Sequence, residues 1–333
     1  MTRDEQPMIG ESPAFLEVLE RVSKAAAMNR PILVVGERGT GKELIAERLH
    51  YLSPRWDQPL IKLNCAAISD SLLESELFGH EAGAYTDASR SRLGRFEAAD
   101  GGSLFLDELA STTPAVQEKI LRVIEYGQFE RLGSSHTRSV DVRLIGAANI
   151  DLPELASRGR FRSDLLDRLA FDVITLPPLR ARREDILPMA EAFAMRITRE
   201  LGRELFAGFS PAVVERLLEH DWPGNIRELK NVIERAVYRH EAIEEPVTEL
   251  ALDPFDSPWR PVSGRSTASA GAAIPDPGAA PVDLRAYLKQ QEKALAERAL
   301  AVSAGHQGKA ADLLGLSYDQ LRGILRKHDL AGR

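Results

Sequence analysis

Apolar positions along this chain switch between a period of two and a period of about 3.6, and the switches mark out its elements. A β-branched run, Ile32-Leu33-Val34-Val35, passes into a glycine-rich stretch at 36–43 and then into an amphipathic run at 44–49. That order predicts strand, loop and helix. Upstream, Ser12-Pro13 opens a helix carrying Phe15, Leu16, Leu19 and Val22, with Ser12 as N-cap and Pro13 at the first helical position. Downstream come a strand at 60–64, a helical pattern at 69–78 and a break in small residues at 79–88. A buried-type strand at 102–106, an amphipathic helix at 116–125 and a strand at 140–147 follow. Helix and strand in alternation with short links predict an α/β domain with a parallel sheet over residues 8–176.

From Pro177 the pattern is helical only, at 186–201, 211–220 and 226–240, which predicts a small helical subdomain over 177–245. Asn225, after Trp222-Pro223-Gly224, is the expected N-cap of its last helix. Residues 246–281 are rich in Pro, Ala, Gly and Ser; such a composition buries no core and reads as a flexible linker. The last stretch, 282–333, returns to helices: a long one at 283–303, then two short ones around a turn at Gly315. Ala311 is small where two helices must cross, and Leu321, Ile324 and Leu325 face inward, while Ser317, Tyr318, Gln320, Arg322, Arg326 and Lys327 face out. This is a small all-α helix-turn-helix domain with a recognition helix, although a helical hairpin for dimerisation would share the pattern. Gly323, inside that recognition helix, weakens it by about 1 kcal/mol relative to Ala.

Composition narrows the class. A chain of 333 residues with 44% hydrophobic positions supports two or three domains. A single cysteine, Cys65, excludes an intrachain disulfide and points to a reducing compartment. There is no apolar run of signal-peptide or membrane-spanning length, so the expectation is a soluble cytoplasmic protein. About two dozen residues precede the first strand, too few for a separate sensory domain, so regulation is expected from a partner or from the nucleotide. Net charge is −7, yet 282–333 carries nine Lys and Arg against six Asp and Glu. Positive charge is therefore concentrated where DNA phosphates would be met.

The candidate chemistry sits at the strand ends. Gly36, Glu37, Arg38, Gly39, Thr40, Gly41 and Lys42 form a G-x-x-x-x-G-K sequence between strand and helix, the context of a phosphate-binding P-loop. Glycines let several N–H groups point at phosphate oxygens, the helix N-terminus adds positive potential, and Lys42 reaches the outer phosphates. A glycine turn with a surface lysine is the plainer alternative. Glu43 stands where a Ser or Thr usually ligates Mg²⁺, so the metal must be held from elsewhere or through water. Asp107 and Glu108 end the strand after 102–106; beside a P-loop they read as an Mg²⁺ ligand and a base that activates water. Asn149 ends a neighbouring strand and is placed to sense the γ-phosphate. Arg162 and Arg168 are six positions apart and share no helix face; they are either solvated and ion-paired or reach a phosphate. The loop Gly83-Ala84-Tyr85-Thr86-Asp87-Ala88 reads as a mobile contact tip or as an ordinary hairpin.

Together, GERGTGKE at 36–43, ELFGHE at 76–81, GAYTDA at 83–88, LFLDE at 104–108, FRSDLLDRL at 161–169 and WPGNIREL at 222–229 resemble the AAA+ domain of bacterial enhancer-binding proteins, the activators of sigma-54 RNA polymerase. The resemblance covers about residues 8–245 and implies an AAA+ P-loop ATPase with a helical lid, using ATP and Mg²⁺. It implies that Asn64 pairs with Glu108 and holds it inactive, and that Arg162 and Arg168 are fingers for the neighbouring subunit of a homohexamer. Arg227 would sense nucleotide. The family's P-loop also carries Glu at the position of Glu43. Residues 83–88 would contact the sigma-54 holoenzyme, where Tyr85 replaces the family's Phe and Asp87 its Gly; the Asp87 charge is expected to weaken activation. The helix-turn-helix would bind enhancer DNA. Members without a receiver domain are restrained by a separate inhibitor, phage shock protein A, for which Trp56 is the implied contact; from the residues alone, Trp56 reads as core. The competing function is a nucleotide-sensing DNA-binding repressor with no productive sigma-54 contact.

Overall fold

A computed structural model describes residues 8–84, 90–257, 259–260, 283–303 and 306–328. They fall into two compact units, divided between Asp256 and Ser257. The first unit is built on a five-stranded parallel sheet. Its strands are β1 Ile32–Val35, β2 Leu60–Asn64, β3 Ser103–Asp107, β6 Arg143–Ala148 and β7 Asp172–Thr175, in the order β2-β3-β6-β1-β7. The remaining strands, β4 Gln128–Glu130 and β5 Thr137–Ser139, form a separate antiparallel ribbon. The expected strand at 140–147 is therefore displaced: β6 starts at Arg143. Val140 and Val142 before it pack on the core from a connecting segment whose backbone bonds go to Gly127 and Gly101 instead of to a neighbouring strand.

Successive strand residues point to opposite faces, and the two faces build two cores. Ile32, Val34, Phe105, Ile145 and Ala147 pack under α1 Pro13–Ala26 and α2 Lys42–Tyr51. Leu33, Leu104, Leu106 and Leu144 pack against α3 Asp70–Phe78, α4 Arg95–Ala98, α5 Pro114–Tyr126, α6 Leu152–Ser157 and α7 Ser163–Leu169. Arg143, at the start of β6, is buried without a carboxylate partner. Its guanidinium donates to the carbonyls of Ala25 and Ala26 at the end of α1 and of Leu49 in α2, and burial pulls it down to about 10. It caps the C-terminal ends of both helices, sharing the Ala25 carbonyl with backbone N–H groups of the last turn.

The helical subdomain comprises α8 Ile186–Glu200, α9 Pro211–Glu219 and α10 Asn225–Arg239 around buried Trp222, Leu229 and Ile233. Its core also takes in Val247 and Leu250, and Val247 is bonded through its backbone to Gly208 and Ser210. The linker expected from 246 thus begins with residues that belong to this core. Ser12 does occupy the N-cap position of α1, but its hydroxyl caps nothing there. It donates instead to Asp185 (2.7 Å), which also accepts from the backbone N–H groups of Glu11 and Ser12 and pairs with buried Arg182.

The second unit holds α11 Leu284–Val302, α12 Gln307–Leu313 and α13 Tyr318–Lys327 around Ala296, Ala299, Ala310, Ala311, Leu321 and Leu325. Gly315 turns the chain between α12 and α13 at φ +65°, a conformation that favours glycine. Among the described residues, no helix is long and apolar enough to cross a membrane.

Candidate functional site

The parallel sheet delivers Val35, Asn64, Asp107 and Ala148 to one edge, the carboxyl ends of its strands, where open α/β sheets bind ligands. The loop after β1 turns on Gly39 (φ +77°) and Gly41 (φ +97°) and feeds directly into α2. Lys42 is 8% exposed and folds back, its Nζ donating to the carbonyls of Gly36 (2.9 Å) and Glu37 (3.1 Å). Burial lowers its pKa, while Asp107 and Glu108 oppose the shift. Thr40 closes the loop from its hydroxyl to the Glu37 carbonyl (2.8 Å). Glu43 is held by Lys62 at 2.9 Å.

Lys42 and Asp107 line one open cleft of about 900 Å³ together with Arg227 and Lys230 of α10. Beside it lies an apolar cavity of about 460 Å³ between Ile9, Phe15, Leu44, Met189, Phe193 and Ile226. This cavity leaves no signal in the sequence, because its walls come from residues near the first helix, α2 and two lid helices. Lys230 is a further cleft residue beyond those expected, and its spacing of three from Arg227 puts both on one helix face.

Asp107 accepts from the Glu108 backbone N–H (2.9 Å) and from the Asn64 amide (3.3 Å). The expected Asn64–Glu108 pair is not formed: the Asn64 amide donates to Asp107 and its carbonyl oxygen accepts from Ala66. Glu108 has left-handed backbone (φ 53°, ψ 42°), an uncommon conformation for a non-glycine residue that turns the chain sharply off β3. Its carboxylate meets the Asn149 amide at 3.3 Å and Arg38 at 3.7 Å. Asn149 therefore touches the candidate base itself. Among the described residues, no group of three or more His, Cys, Asp or Glu is arranged to hold a metal ion. Asp107 alone fits a hard cation that takes its remaining ligands from phosphates and water, as Mg²⁺ does. The neighbouring Cys65 thiol is buried and pushed up to about 12, first by burial and then by the two carboxylates, so it is inert.

The loop and lid are tied together. Glu37 receives a two-bonded fork from Arg180 (2.9 and 2.5 Å) and a bond from Asn225 (3.1 Å), and these pull its carboxyl down to about 2. Asn225 is not the N-cap of α10; Gly224 is, and Asn225 is the first helical residue. Arg162 and Arg168 do not line the cleft of their own chain. Arg162 pairs with Asp164 (2.7 Å) and Arg168 with Glu125 (2.8 Å).

Of the loop at 83–88, Gly83 and Ala84 are described; Tyr85, Thr86, Asp87 and Ala88 lie outside the described residues. At the loop's base, Glu81 accepts from Arg131 (2.9 Å), just after β4, and from Arg138 (3.3 Å) of β5, and Arg131 also grips Glu97. These partners are up to 57 positions apart and left no periodic signal. Trp56 is 62% exposed beside exposed Tyr51 and Leu52, which overturns its reading as core.

In the second unit, Ser317 and Gln320 are taken up by a capping box at the start of α13, each side chain bonded to the other's backbone N–H. Lys327 is held by Glu292 at 2.6 Å, and the Tyr318 hydroxyl donates to Gln307 (3.4 Å). Arg322 and Arg326, one helical turn apart, keep exposed side chains. The outward set thus divides into structural members and a smaller group open to a ligand.

The sigma-54 interaction domain family matches residues 8–175, the AAA+ ATPase lid domain 180–253, and the bacterial regulatory protein Fis family 287–328. The chain belongs to the sigma-54-dependent AAA+ transcriptional activators. It is 54% identical over 323 residues to the psp operon transcriptional activator of Escherichia coli K12, covering 97% of this chain and 98% of that one. The transcriptional regulatory protein ZraR of Salmonella typhimurium is 52% identical over 247 residues, 74% of this chain and 56% of ZraR. Among solved structures, NtrX from Brucella abortus in complex with ADP is 31% identical with a TM-score of 0.69, over 97% of this chain and 69% of NtrX. Its complex with ATP gives a TM-score of 0.68. The first unit of this activator is accordingly a P-loop nucleotide-binding domain with its lid, and the second is its DNA-binding domain.

Proposed function

We propose that this activator hydrolyses ATP at the cleft between β1, β3 and α10 and spends the cycle on remodelling the sigma-54 RNA polymerase closed complex from an upstream enhancer. The observation that carries the reading is the convergence of Lys42, Asp107 and lid Arg227 on one cleft, with Glu108 held beside it by Asn149 and Arg38. ATP phosphates take the N–H groups of Gly39, Thr40 and Gly41. Lys42 exchanges its two carbonyl partners for the outer phosphate oxygens. Asp107 would hold Mg²⁺, which supplies charge neutralisation at the β- and γ-phosphates. Glu108 takes a proton from the attacking water as the new O–P bond forms and the bond to the β–γ bridging oxygen breaks, releasing ADP. Asn149 and Arg38 hold that carboxylate until nucleotide arrives, the restraint that the family resemblance implies for Asn64.

Arg162 and Arg168 complete a neighbour's site in a homohexamer, the tip at 83–88 engages sigma-54, and the exposed Trp56 receives the inhibitor phage shock protein A. The 54% identity to a psp operon activator over nearly the whole chain supports the phage shock operon as the target.

The direct test is Glu108→Gln, which keeps size and hydrogen bonding but removes basicity. ATP binding should stay within a few-fold, hydrolysis should fall by at least about 10²-fold, and open complexes should fail on duplex promoters. Hydrolysis at the parental rate would remove Glu108 from the mechanism. Normal hydrolysis in the unmodified chain without open complexes would favour a repressor.

A further inference from the structure

We propose that Asn225 is the positioning residue that couples the state of the P-loop to the lid, and so sets where Arg227 stands over the nucleotide. The inference rests on the ATP-binding reading above. One fully buried amide joins three segments. Its Oδ1 accepts from the backbone N–H of Leu179 (2.8 Å), where the chain enters the lid. Its Nδ2 donates to the Arg38 carbonyl (3.0 Å) and to Glu37 Oε2 (3.1 Å), both in the P-loop. Next to it the Ile226 N–H donates to the Gly39 carbonyl (3.0 Å). Gly39 is packed so closely on the lid that a Cβ there would come within 2.3 Å of the Gly224 carbonyl oxygen.

The residue type follows from two demands at one position. Asn225 has φ 53°, which glycine and asparagine tolerate and alanine does not. The site also needs a donor and an acceptor on one side chain, sealed from water, which glycine cannot supply and an amide can. Arg227 lies two residues further along the same helix and faces the cleft that Lys42 lines. A shift of the Arg38 carbonyl as phosphates enter is therefore passed through Asn225 to the first turn of α10, and from its Oδ1 to the hinge at Leu179. A residue that served only to cap or pack the helix would need neither P-loop bond.

The test uses the full chain, a non-hydrolysable ATP analogue with Mg²⁺, and two readouts: analogue affinity and hydrogen exchange of residues 226–239. Asn225→Asp keeps the acceptor for Leu179, removes the donor and sets a carboxylate against Glu37. Asn225→Gly keeps the backbone conformation and removes the amide, and it serves if the aspartate variant does not fold. In either variant affinity should fall about tenfold, the scale of one or two buried hydrogen bonds, and analogue-induced protection of α10 should vanish. Adding Glu37→Gln to Asn225→Asp places the donor on the P-loop and the acceptor on the lid. That pair restores the contact at position 37 but not the bond to the Arg38 carbonyl, so it should bind the analogue more tightly than Asn225→Asp alone while protection of α10 stays absent, with Glu37→Gln as its control. Wild-type affinity and protection in both Asn225 variants, or wild-type protection in the pair, overturns the coupling alone. A parent chain that does not bind the analogue overturns the ATP reading and the coupling with it.

Discussion

Trp56 and His50 lie close together in the chain and behave in opposite ways. Trp56 stands 62% exposed with Tyr51 at 60% and Leu52 at 48%, an apolar surface on the segment that leaves α2. An exposed indole adds little to folding and is a favoured interface anchor. Trp56→Ala should change stability by no more than about 0.5 kcal/mol, leave ATPase intact and, on the proposed reading, abolish inhibition by phage shock protein A. Thermal melting and ATPase assays with and without that inhibitor check it; unfolding, or undiminished inhibition, would sink the assignment. His50 is buried, with Nδ1 2.9 Å from the Ser103 hydroxyl. Burial lowers its pKa, a hydrogen bond donated to the Gln58 backbone carbonyl opposes this, and Arg143 adds to the lowering. With the folded value below the unfolded one, the unfolded chain binds more protons as pH falls below about 6.5. The stability His50 contributes is therefore complete above that value and lost as pH falls through the depressed one. His50→Asn keeps a polar group at the Nδ1 position without a titrating charge. Its melting temperature should fall less than the parent's between pH 7.5 and 5.5; equal slopes would clear His50 of the effect.

At the scale of the elements, α13 contains a glycine with no structural duty. Gly323 is exposed, it is not among the residues with positive φ, and an added Cβ would meet no atom within 4 Å. Gly323→Ala should therefore stabilise α13 by about 1 kcal/mol, read as slower hydrogen exchange of residues 318–327 in the full chain. If this face of the helix lies against DNA, the same change should weaken enhancer binding several-fold. Faster exchange would refute the first part, and unchanged DNA affinity the second. The strands around the P-loop, the lid helices and the three helices of the second unit were legible in the sequence, because each carries a clear period and ends at Gly, Pro or a capping residue. What was hidden depended on contacts between distant segments. Asn225 looked like a cap because it follows Pro223-Gly224, and only folding brings Arg38 and Leu179 to its amide. Asn64 and Asp107 end neighbouring strands in direct register, which favours their bond over one to Glu108 one residue further on. Val247 looked like linker because an extended strand-like segment has no helical period, and its partners lie at Gly208 and Ser210.

At the scale of the whole molecule, a single chain supplies a cleft with Lys42, Asp107 and Arg227, yet its two candidate fingers face elsewhere. Arg162 and Arg168 are tied to Asp164 and Glu125 and do not reach the cleft lining. Exposed ion pairs of this kind are worth little, about 0–1 kcal/mol, so a phosphate offered by another subunit can displace them. On the proposed reading, a finger acting in trans would let one surface serve both assembly and catalysis, through a head-to-tail contact whose repetition would close a ring. Such an arginine contributes about 10³–10⁵ in rate in other NTPases. The consequence is complementation between two inactive variants. Lys42→Ala lacks a phosphate grip but keeps its fingers, whereas Arg168→Ala keeps the grip and lacks one finger. Each alone should be nearly inactive. In an equimolar mixture about a quarter of head-to-tail interfaces pair a competent cleft with a competent finger, so ATPase should return to a fraction of that order. Mass measurement of the mixed assemblies establishes that the variants share rings. Mixed rings with no recovery at any ratio would place Arg168 outside the neighbour's site and leave it an ion-paired surface residue.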